Sequence, residues 1–504
     1  MFFSRKGKDR ALPKHRLKIG FPWSAGSSPA VRTIAVALAL LSSGCERRRD
    51  SGPVIVSAIG QPPAAGHRDW PQRLLVDATA QGLVRFDAAG QIEPGLAERW
   101  IVTDNGGSYI FRLREASWAD GRPVTAEQVV DILQGRLRAA ADHALLPFLT
   151  AIDEVVVMTP QVIEVRLARP RPDLLKLFAQ PELAIIRSRA GGGTGPMRVS
   201  ALRSAAPLLR PIPDPTRAEP EDSPTPTPEE EVRLIGERAS LALVRFGRRE
   251  SDLVSGGTIA DWPLVALSGA PPATVRLDPA AGLFGLAVVR REGFLADAAN
   301  RQALSQAFDR ATLVASLARG WEPMDRLLPE ALDSGAPPQV PGWSLQTLDQ
   351  RRADARTRVA GWGSPVRLAI ALPDAPGTRL LYAQIAATLQ AIGIVSVRVK
   401  PAEPADLRLV DAVAPYDSAR WYLATACRPC SEAAQAALEQ ARLAPTLGDR
   451  AQALAAADIA MNQDAAFIPL ARPLRWSLVA SRLRQWQPNA RAWHPLNRLR
   501  ADTN

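Results

Sequence analysis

The clearest alternation of apolar and polar positions lies at Gly107–Arg114, where Tyr109, Phe111 and Leu113 fall on one side of a predicted half-buried strand. Asn105-Gly106-Gly107 before it is a turn signal, and Asp120-Gly121, after Trp118, suits a tight turn with positive φ. Thr125 and Gln128 have the spacing of a capping box. The helix it opens carries Val129, Val130, Ile132, Leu133 and Leu137 on its apolar face. Val54–Ala58, Val155–Val157 and Val162–Leu167 are further predicted strands, the last closed by Pro170 and Pro172. Leu74–Val84 has helical spacing. Asn300–Arg319 predicts one amphipathic helix with Leu304, Ala307, Phe308, Leu313, Val314 and Leu317 on a face and Gly320 at its end. Strand Val366–Leu372, helix Thr378–Ile392 and strand Ile394–Val399 form a β–α–β unit, with Gly393 ending the helix. A helix over 450–462 and strand character from Phe467 through Val479 complete an α/β chain without internal repeats.

Two stretches break this pattern. Residues 210–231 hold seven prolines, Pro211 to Pro228, among acidic residues. That composition buries too little apolar surface to offset its ordering entropy, so a surface loop is expected. At the front, Thr33–Leu41 is an uncharged apolar run of nine residues, too short to span a bilayer and suited to a signal-peptide core. Ser42-Ser43-Gly44 before Cys45 resembles a bacterial lipobox, in which the Cys is acylated and the chain cut before it; Ser42 stands where Leu is usual. The expected organisation is a signal peptide over 1–44 and a lipid-anchored tether over 45–52, with translation starting at Val31 on an alternative codon.

The chain has 504 residues, enough for two or three domains, and a net charge of +11. Residues 1–32 carry eight Lys or Arg against Asp9 and so account for +7, leaving +4 for the body. No basic stripe with interleaved aromatics appears, which argues against a nucleic-acid surface. Cys427 and Cys430, in Cys427-Arg428-Pro429-Cys430, are expected to close a small disulfide loop in an oxidising compartment; a thioredoxin-like site lacks its strand–helix context. Zinc lacks a second Cys or His pair. His67, His143 and His494 are scattered, and neither a nucleophile elbow nor a phosphate loop is present. Gly191–Pro196 is Gly-rich without a Lys and is read as a turn crossing between lobes. An enzyme, a cofactor or a metal is therefore not expected.

The ordered set Gly82–Asp87, Gly90–Trp100, Tyr109–Arg114 and Trp118–Val129 resembles the signature region of bacterial extracytoplasmic solute-binding proteins, family 5, the oligopeptide- and dipeptide-binding type. Ala151–Asp153, Leu167–Pro170, Gly193–Pro196, Asp297–Arg310, Ile392–Ile394 and Ile468–Leu470 continue the resemblance down the chain. It implies a two-lobed α/β periplasmic-binding-protein fold (type II, large peptide-binding class) with a smaller domain inserted in lobe 1. Lobe 1 would comprise 53–84, 189–276 and 471–504, the inserted domain 85–188 and lobe 2 277–470. Trp118, Asp120 and Gly121 have a structural role in this reading, and Asp309-Arg310 is a helix-surface or lobe-packing pair.

The resemblance also implies a peptide or peptide-like ligand enclosed between lobes. The ligand is delivered to a membrane permease and its ATPase by a periplasmic, lipid-anchored monomer. An acidic residue of lobe 2 would hold the ligand's amino group; Asp417 is the first candidate and Asp411 the second, with Tyr416 and Trp421 beside them. In lobe 1, Arg68, Asp69 and Trp70 fall where the family has a ligand-lining loop, and Trp70 is either pocket floor or core. The family's tryptophan-rich strand and acidic, proline-bearing loop are poorly preserved here. That leaves open a repurposed envelope sensor or interaction partner with the same fold.

Overall fold

The computed structural model describes residues 51–63, 68–138, 143–187, 192–200, 206–212 and 227–500. The signal peptide, Cys45, most of the tether, His67 and the centre of the proline-rich segment lie outside the described residues.

Two mixed sheets organise the body. The first has seven strands in the order Val275–Asp278, Arg475–Val479, Leu253–Gly257, Val54–Ile59, Val232–Glu237, Leu208–Pro211, Met197–Val199. Its centre is parallel: Val54–Ile59 runs alongside both Val232–Glu237 and Leu253–Gly257. The second has five strands in the order Ile394–Val399, Val366–Ala371, Leu407–Val413, Gly282–Val288, Phe467–Ala471. Gly282–Val288 is buried at every position, as expected of a central strand covered on both faces. A separate antiparallel sheet orders Ala97–Thr103, Ser108–Leu113, Val162–Leu167, Ile152–Thr159. There the alternation read in the sequence holds, with Tyr109 and Phe111 buried and Arg112 exposed.

The chain passes between the two larger sheets twice within them, through residues 279–281 and 472–474. The strand character expected from Phe467 through Val479 is thus two strands, one in each sheet. These crossings set the lobes side by side and fix where a cleft can open.

Most predicted elements form. Thr125 and Gln128 make the capping box reciprocally. The β–α–β unit forms with parallel strands around helix Pro376–Gln390. The helical reading of Leu74–Val84 needs correction: the helix is Trp70–Thr79, and Val84 already belongs to a short strand. Pro71 in the first turn is compatible with this early start.

The single helix expected over 300–319 is two, Ala298–Ala307 and Arg310–Leu317. Phe308 is extended and buried, and Asp309 caps the second helix, accepting from the backbone N of Thr312 at 3.1 Å. Arg310 is buried: its Nε donates to the carbonyl of Pro469 at 2.7 Å and an Nη to Ser305 Oγ at 3.0 Å. A helix with unbroken apolar periodicity stops because a capping side chain and a buried guanidinium satisfy its ends.

Candidate functional site

A cavity of ~720 Å³ opens where the crossings bring the sheets together. Its first wall is the end of strand Leu253–Gly257. Gly256 has φ of +86°, and a Cβ there would lie 2.5 Å from the Trp70 ring. A Cβ on Gly257 would lie 2.2 Å from the Trp476 ring. Both positions therefore need glycine, so that two indoles can lie against the backbone. Trp70 Nε1 donates to Ser255 Oγ at 3.0 Å, and Trp476 Nε1 to the carbonyl of Thr258 at 2.8 Å.

The second wall comes from strand Leu407–Val413 and the helix Ala419–Ala426, through Asp411, Trp421 and Thr425. Ala414 N donates to the carbonyl of Ala281 at 2.8 Å, which sets the phase of pairing with Gly282–Val288. By antiparallel alternation, the N–H and C=O of Leu409, Asp411 and Val413 point to the opposite side. There the neighbouring strand Val366–Ala371 pairs only with Leu407 and Arg408, so the edge beyond is open. Arg475 sits at this edge. Its Nη1 meets Asp411 Oδ1 at 2.7 Å, and its Nη2 lies 3.4 Å from the Asp411 carbonyl.

The third wall is the C-terminal segment. Asn489 is buried and organises it: Oδ1 accepts from the backbone N of Arg491 at 3.0 Å and of Trp493 at 3.2 Å. Its Nδ2 donates to the carbonyl of Trp493 at 2.9 Å. The turn presents Arg491 and Trp493 to the cavity. Trp493 meets Trp70 edge-on at 5.0 Å between ring centres, and Arg73 lies over its ring at 5.4 Å.

Of the residues singled out from sequence, Trp70, Asp411 and Trp421 line this cavity; Arg68, Asp69, Tyr416 and Asp417 do not. Trp70 is both floor and packing partner. Asp69 accepts from Gln61 N at 2.7 Å just before the helix. Tyr416 is buried against Phe148, 5.9 Å between ring centres, and burial pushes its hydroxyl well above the ordinary tyrosine range. Asp417, expected to meet a ligand ammonium, is instead paired with both Lys176 and Arg491. Burial acts to raise its carboxyl, but the Arg491 charge and the Lys176 hydrogen bond outweigh it and hold it below the usual carboxylate range. Cys427 and Cys430 are joined Sγ to Sγ.

Beside the cavity runs a polar seam between the strand-to-helix segment of lobe 2 and residues 147–180. Gln180 Nε2 donates to the carbonyl of Pro415 at 2.8 Å, and Arg420 to that of Pro147 at 3.0 Å. Arg171, buried, donates to the carbonyls of Ala441 and Arg442 in the last turn of helix Glu432–Leu443, where a cation suits the helix dipole. Desolvation pushes its guanidinium down to about 10, and burial with the nearby Asp333 charge pushes Asp173 up to about 6.

Sequence reasoning missed Arg73, Arg475, Arg491, Trp476 and Trp493. Gly256-Gly257 was a legible signal of close backbone approach; the arginines carried none. Among the described residues no group of His, Cys, Asp and Glu is placed to hold a metal ion, and no helix is long and apolar enough to cross a membrane.

The architecture is thus two α/β lobes joined by paired crossings, with a cavity between them. Comparison with solved structures agrees. The Escherichia coli murein tripeptide-binding protein MppA superposes with a TM-score of 0.73 at 18% identity, over 89% of this chain and 98% of that one. Haemophilus influenzae OppA, complexed with the peptide RPPGFSPFR, gives 0.72 at 16% identity over 89% and 99%. Residues 91–205 match the family model of bacterial extracellular solute-binding proteins, family 5 (middle part). That segment is similar to the family's middle part, and the superpositions show that the chain shares the fold of these proteins. Among curated relatives, the probable deoxycholate-binding periplasmic protein YgiS of Escherichia coli is 41% identical over 86 residues, and that match spans 16% of each chain.

Proposed function

We propose that the protein is the extracytoplasmic substrate-binding component of an ABC importer. It captures a peptide or peptide-like solute in the interlobe cavity by hinge closure and hands it to a membrane permease powered by an ATPase. The observation that carries this reading is the ~720 Å³ cavity walled from both lobes, with the open edge of Leu407–Val413 along one side. An extended peptide can add to such an edge through its main chain, which gives affinity without regard to side-chain identity. A ligand touching both lobes stabilises the closed form by its differential affinity. Peptide recognition by the Haemophilus influenzae and Escherichia coli proteins named above supports the ligand class. In this reading the protein is a periplasmic monomer anchored through lipid on Cys45, its lobe limits are those set out from the sequence, and it performs no catalysis.

The test is thermal unfolding of the purified protein across a series of di- to pentapeptides, with native mass spectrometry of what co-purifies. A ligand present at 100 times its Kd adds about 2.7 kcal/mol to stability, so at least one peptide length is expected to raise the melting point by several degrees. A flat response throughout, with a non-peptide molecule in the cleft, would overturn the ligand class.

Asp417 has a defined place in this scheme. It bridges Lys176 and Arg491 next to the cavity without lining it, so it holds the closed form rather than the ligand. Lys176→Gln, which breaks the bridge while the cavity-lining Arg491 keeps Asp417, is expected to weaken every ligand by one common factor, about 3- to 10-fold, because only the closed population changes. Calorimetry with two chemically different ligands checks this; unequal losses would place the Lys176–Asp417 bridge in contact with ligand.

A further inference from the structure

A second cavity, of ~400 Å³, lies in the five-stranded half of the molecule and shares no lining residue with the one between the sheets. Its wall falls entirely between Gln302 and Pro469, so a ligand there bridges nothing across the crossings. Helix Ala298–Ala307, the end of helix Leu447–Asp464, strand Phe467–Ala471 and the segments 325–327 and 339–346 build it. Asp458 is its unusual member. The residue is 4% exposed, and its Oδ2 accepts from the backbone N of Gln339 at 2.8 Å. Oδ1 has no partner among the described residues, and none of their Lys, Arg or His side chains lies within salt-bridge distance of it. Burial pushes the carboxyl above the ordinary aspartate range, and the Gln339 N–H only partly offsets this. A carboxylate so deeply buried is normally paired; this one faces a cavity instead.

The other acidic residue of the wall is compensated. Asp325 meets Arg326 Nε at 3.2 Å, and its charge also acts on Arg310 and Arg351, whose guanidiniums lie over Trp343 at 4.9 and 5.1 Å from the ring centre. The amides of the wall have their donors engaged. Gln302 Nε2 donates to the carbonyl of Gln463 at 3.0 Å, Gln306 Nε2 to that of Arg351 at 3.1 Å, and Gln346 Nε2 to Asp354 Oδ2 at 3.2 Å. Their amide oxygens, like Asp458 Oδ1, have no protein donor among the described residues. The wall is therefore rich in acceptors. Met461, one turn on from Asp458, and Phe467 add buried apolar surface to it. An ammonium group on an alkyl stem answers these features together, with three donors, no acceptor and the charge that the desolvated carboxylate lacks.

We propose that this cavity is a second ligand site, carried by the five-stranded half alone, for a small aliphatic primary amine whose ammonium group pairs with Asp458. The site goes beyond the peptide reading and does not rest on it. Its occupant contacts one half of the molecule, so it has no differential affinity for open and closed forms. The amine binds equally whether the cavity between the sheets is full or empty.

The experiment is NMR of the full chain labelled with 13C at its methionine methyl groups. Met461 lines the cavity, and its signal, assigned by its loss in Met461→Leu, reports occupancy. n-Butylammonium chloride is expected to shift that signal saturably and to bind about 10- to 100-fold more tightly than n-butanol, the range for a hydrogen bond to a charged group. Asp458→Asn keeps an acceptor for Gln339 and is expected to remove that preference while the other methionine signals stay in place. Should that variant fail to fold, butyltrimethylammonium on the unchanged protein decides the matter. It keeps the charge without an N–H donor and is expected to bind at least about 10-fold more weakly than n-butylammonium. The amine site is overturned by no shift with n-butylammonium, by equal binding of amine and alcohol, by a full preference in Asp458→Asn or by equal binding of the two ammonium ions. Tighter binding of sorbitol than of n-butylammonium also overturns it, and assigns the amide-rich wall to a polyhydroxylated ligand. The peptide reading stands or falls separately, at the other cavity.

Discussion

Replacing Asp464 by asparagine is expected to destabilise lobe 2 by about 3–5 kcal/mol, the cost of stripping the partner from buried charge. Asp464 ends helix Leu447–Asp464 and is nearly inaccessible, with 4% of its side chain exposed; Arg301, paired with it at 2.5 Å, is 1% exposed. Arg291 Nη1 reaches its other oxygen at 2.8 Å, and Ser431 N donates to that same oxygen. Arg301 Nε also donates to the Asp464 carbonyl at 2.8 Å, and its Nη1 to the carbonyls of Leu295 and Ala296. Asparagine fits the volume but leaves two guanidinium groups beside a neutral amide, one of whose atoms is itself a donor. Urea unfolding monitored on lobe 2 reads the loss. The companion Asp464→Leu with Arg301→Met, which removes both members of the most buried pair, is expected to recover part of the stability. A loss under about 1 kcal/mol in the asparagine variant would show that the pair is hydrated in solution, contrary to this account.

The second large effect is at Gly257. Valine there places its Cβ 2.2 Å from two atoms of the Trp476 ring and 2.6 Å from the Trp476 carbonyl oxygen. The ring cannot retreat easily: Trp476 is 1% exposed, bonded through Nε1 to Thr258, and packed edge-on against Trp262 at 6.3 Å. Relief requires moving the strand or the indole, and both line the cavity. Overpacking of this kind costs about 1–3 kcal/mol or more. A 3 kcal/mol distortion borne by the binding-competent form corresponds to about 100-fold in affinity. Gly257→Val is therefore expected to lose about 100-fold in ligand affinity while circular dichroism of the folded chain stays the same. Retained affinity would mean that Trp476 can repack without reshaping the cleft.

The sequence discloses the elements far better than the site. Local rules decide a capping box, a turn needing φ above zero or a β–α–β unit, and Thr125–Gln128, Gly121 and Val366–Val399 follow them. The break between Ala307 and Arg310 escapes the same rules, because the reason for it, a hydrogen bond from Arg310 to Pro469, lies 159 residues away. The cavity draws on the ends of Leu253–Gly257 and Leu407–Val413 and on the turn set by Asn489, segments that meet only through the crossings. Arg475 and Arg491 look like any surface arginine until their partners are placed. Asp411 and Asp417 are six residues apart in one loop-bearing stretch, and nothing local says that one faces the cavity and the other bridges Lys176 to Arg491.

The polar seam from Arg171 to Asp417 has a consequence for how a receptor of the proposed kind adapts. Its pair Lys176–Asp417 and its bonds from Arg171 to the carbonyls of Ala441 and Arg442 lie off the cavity lining, so under the proposed function their strength sets how often the jaws are shut when nothing is bound. Tightening or loosening it rescales affinity for all cargoes together and leaves their ranking alone. Threshold and preference are then written in separate sets of residues, and each is free to change without the other.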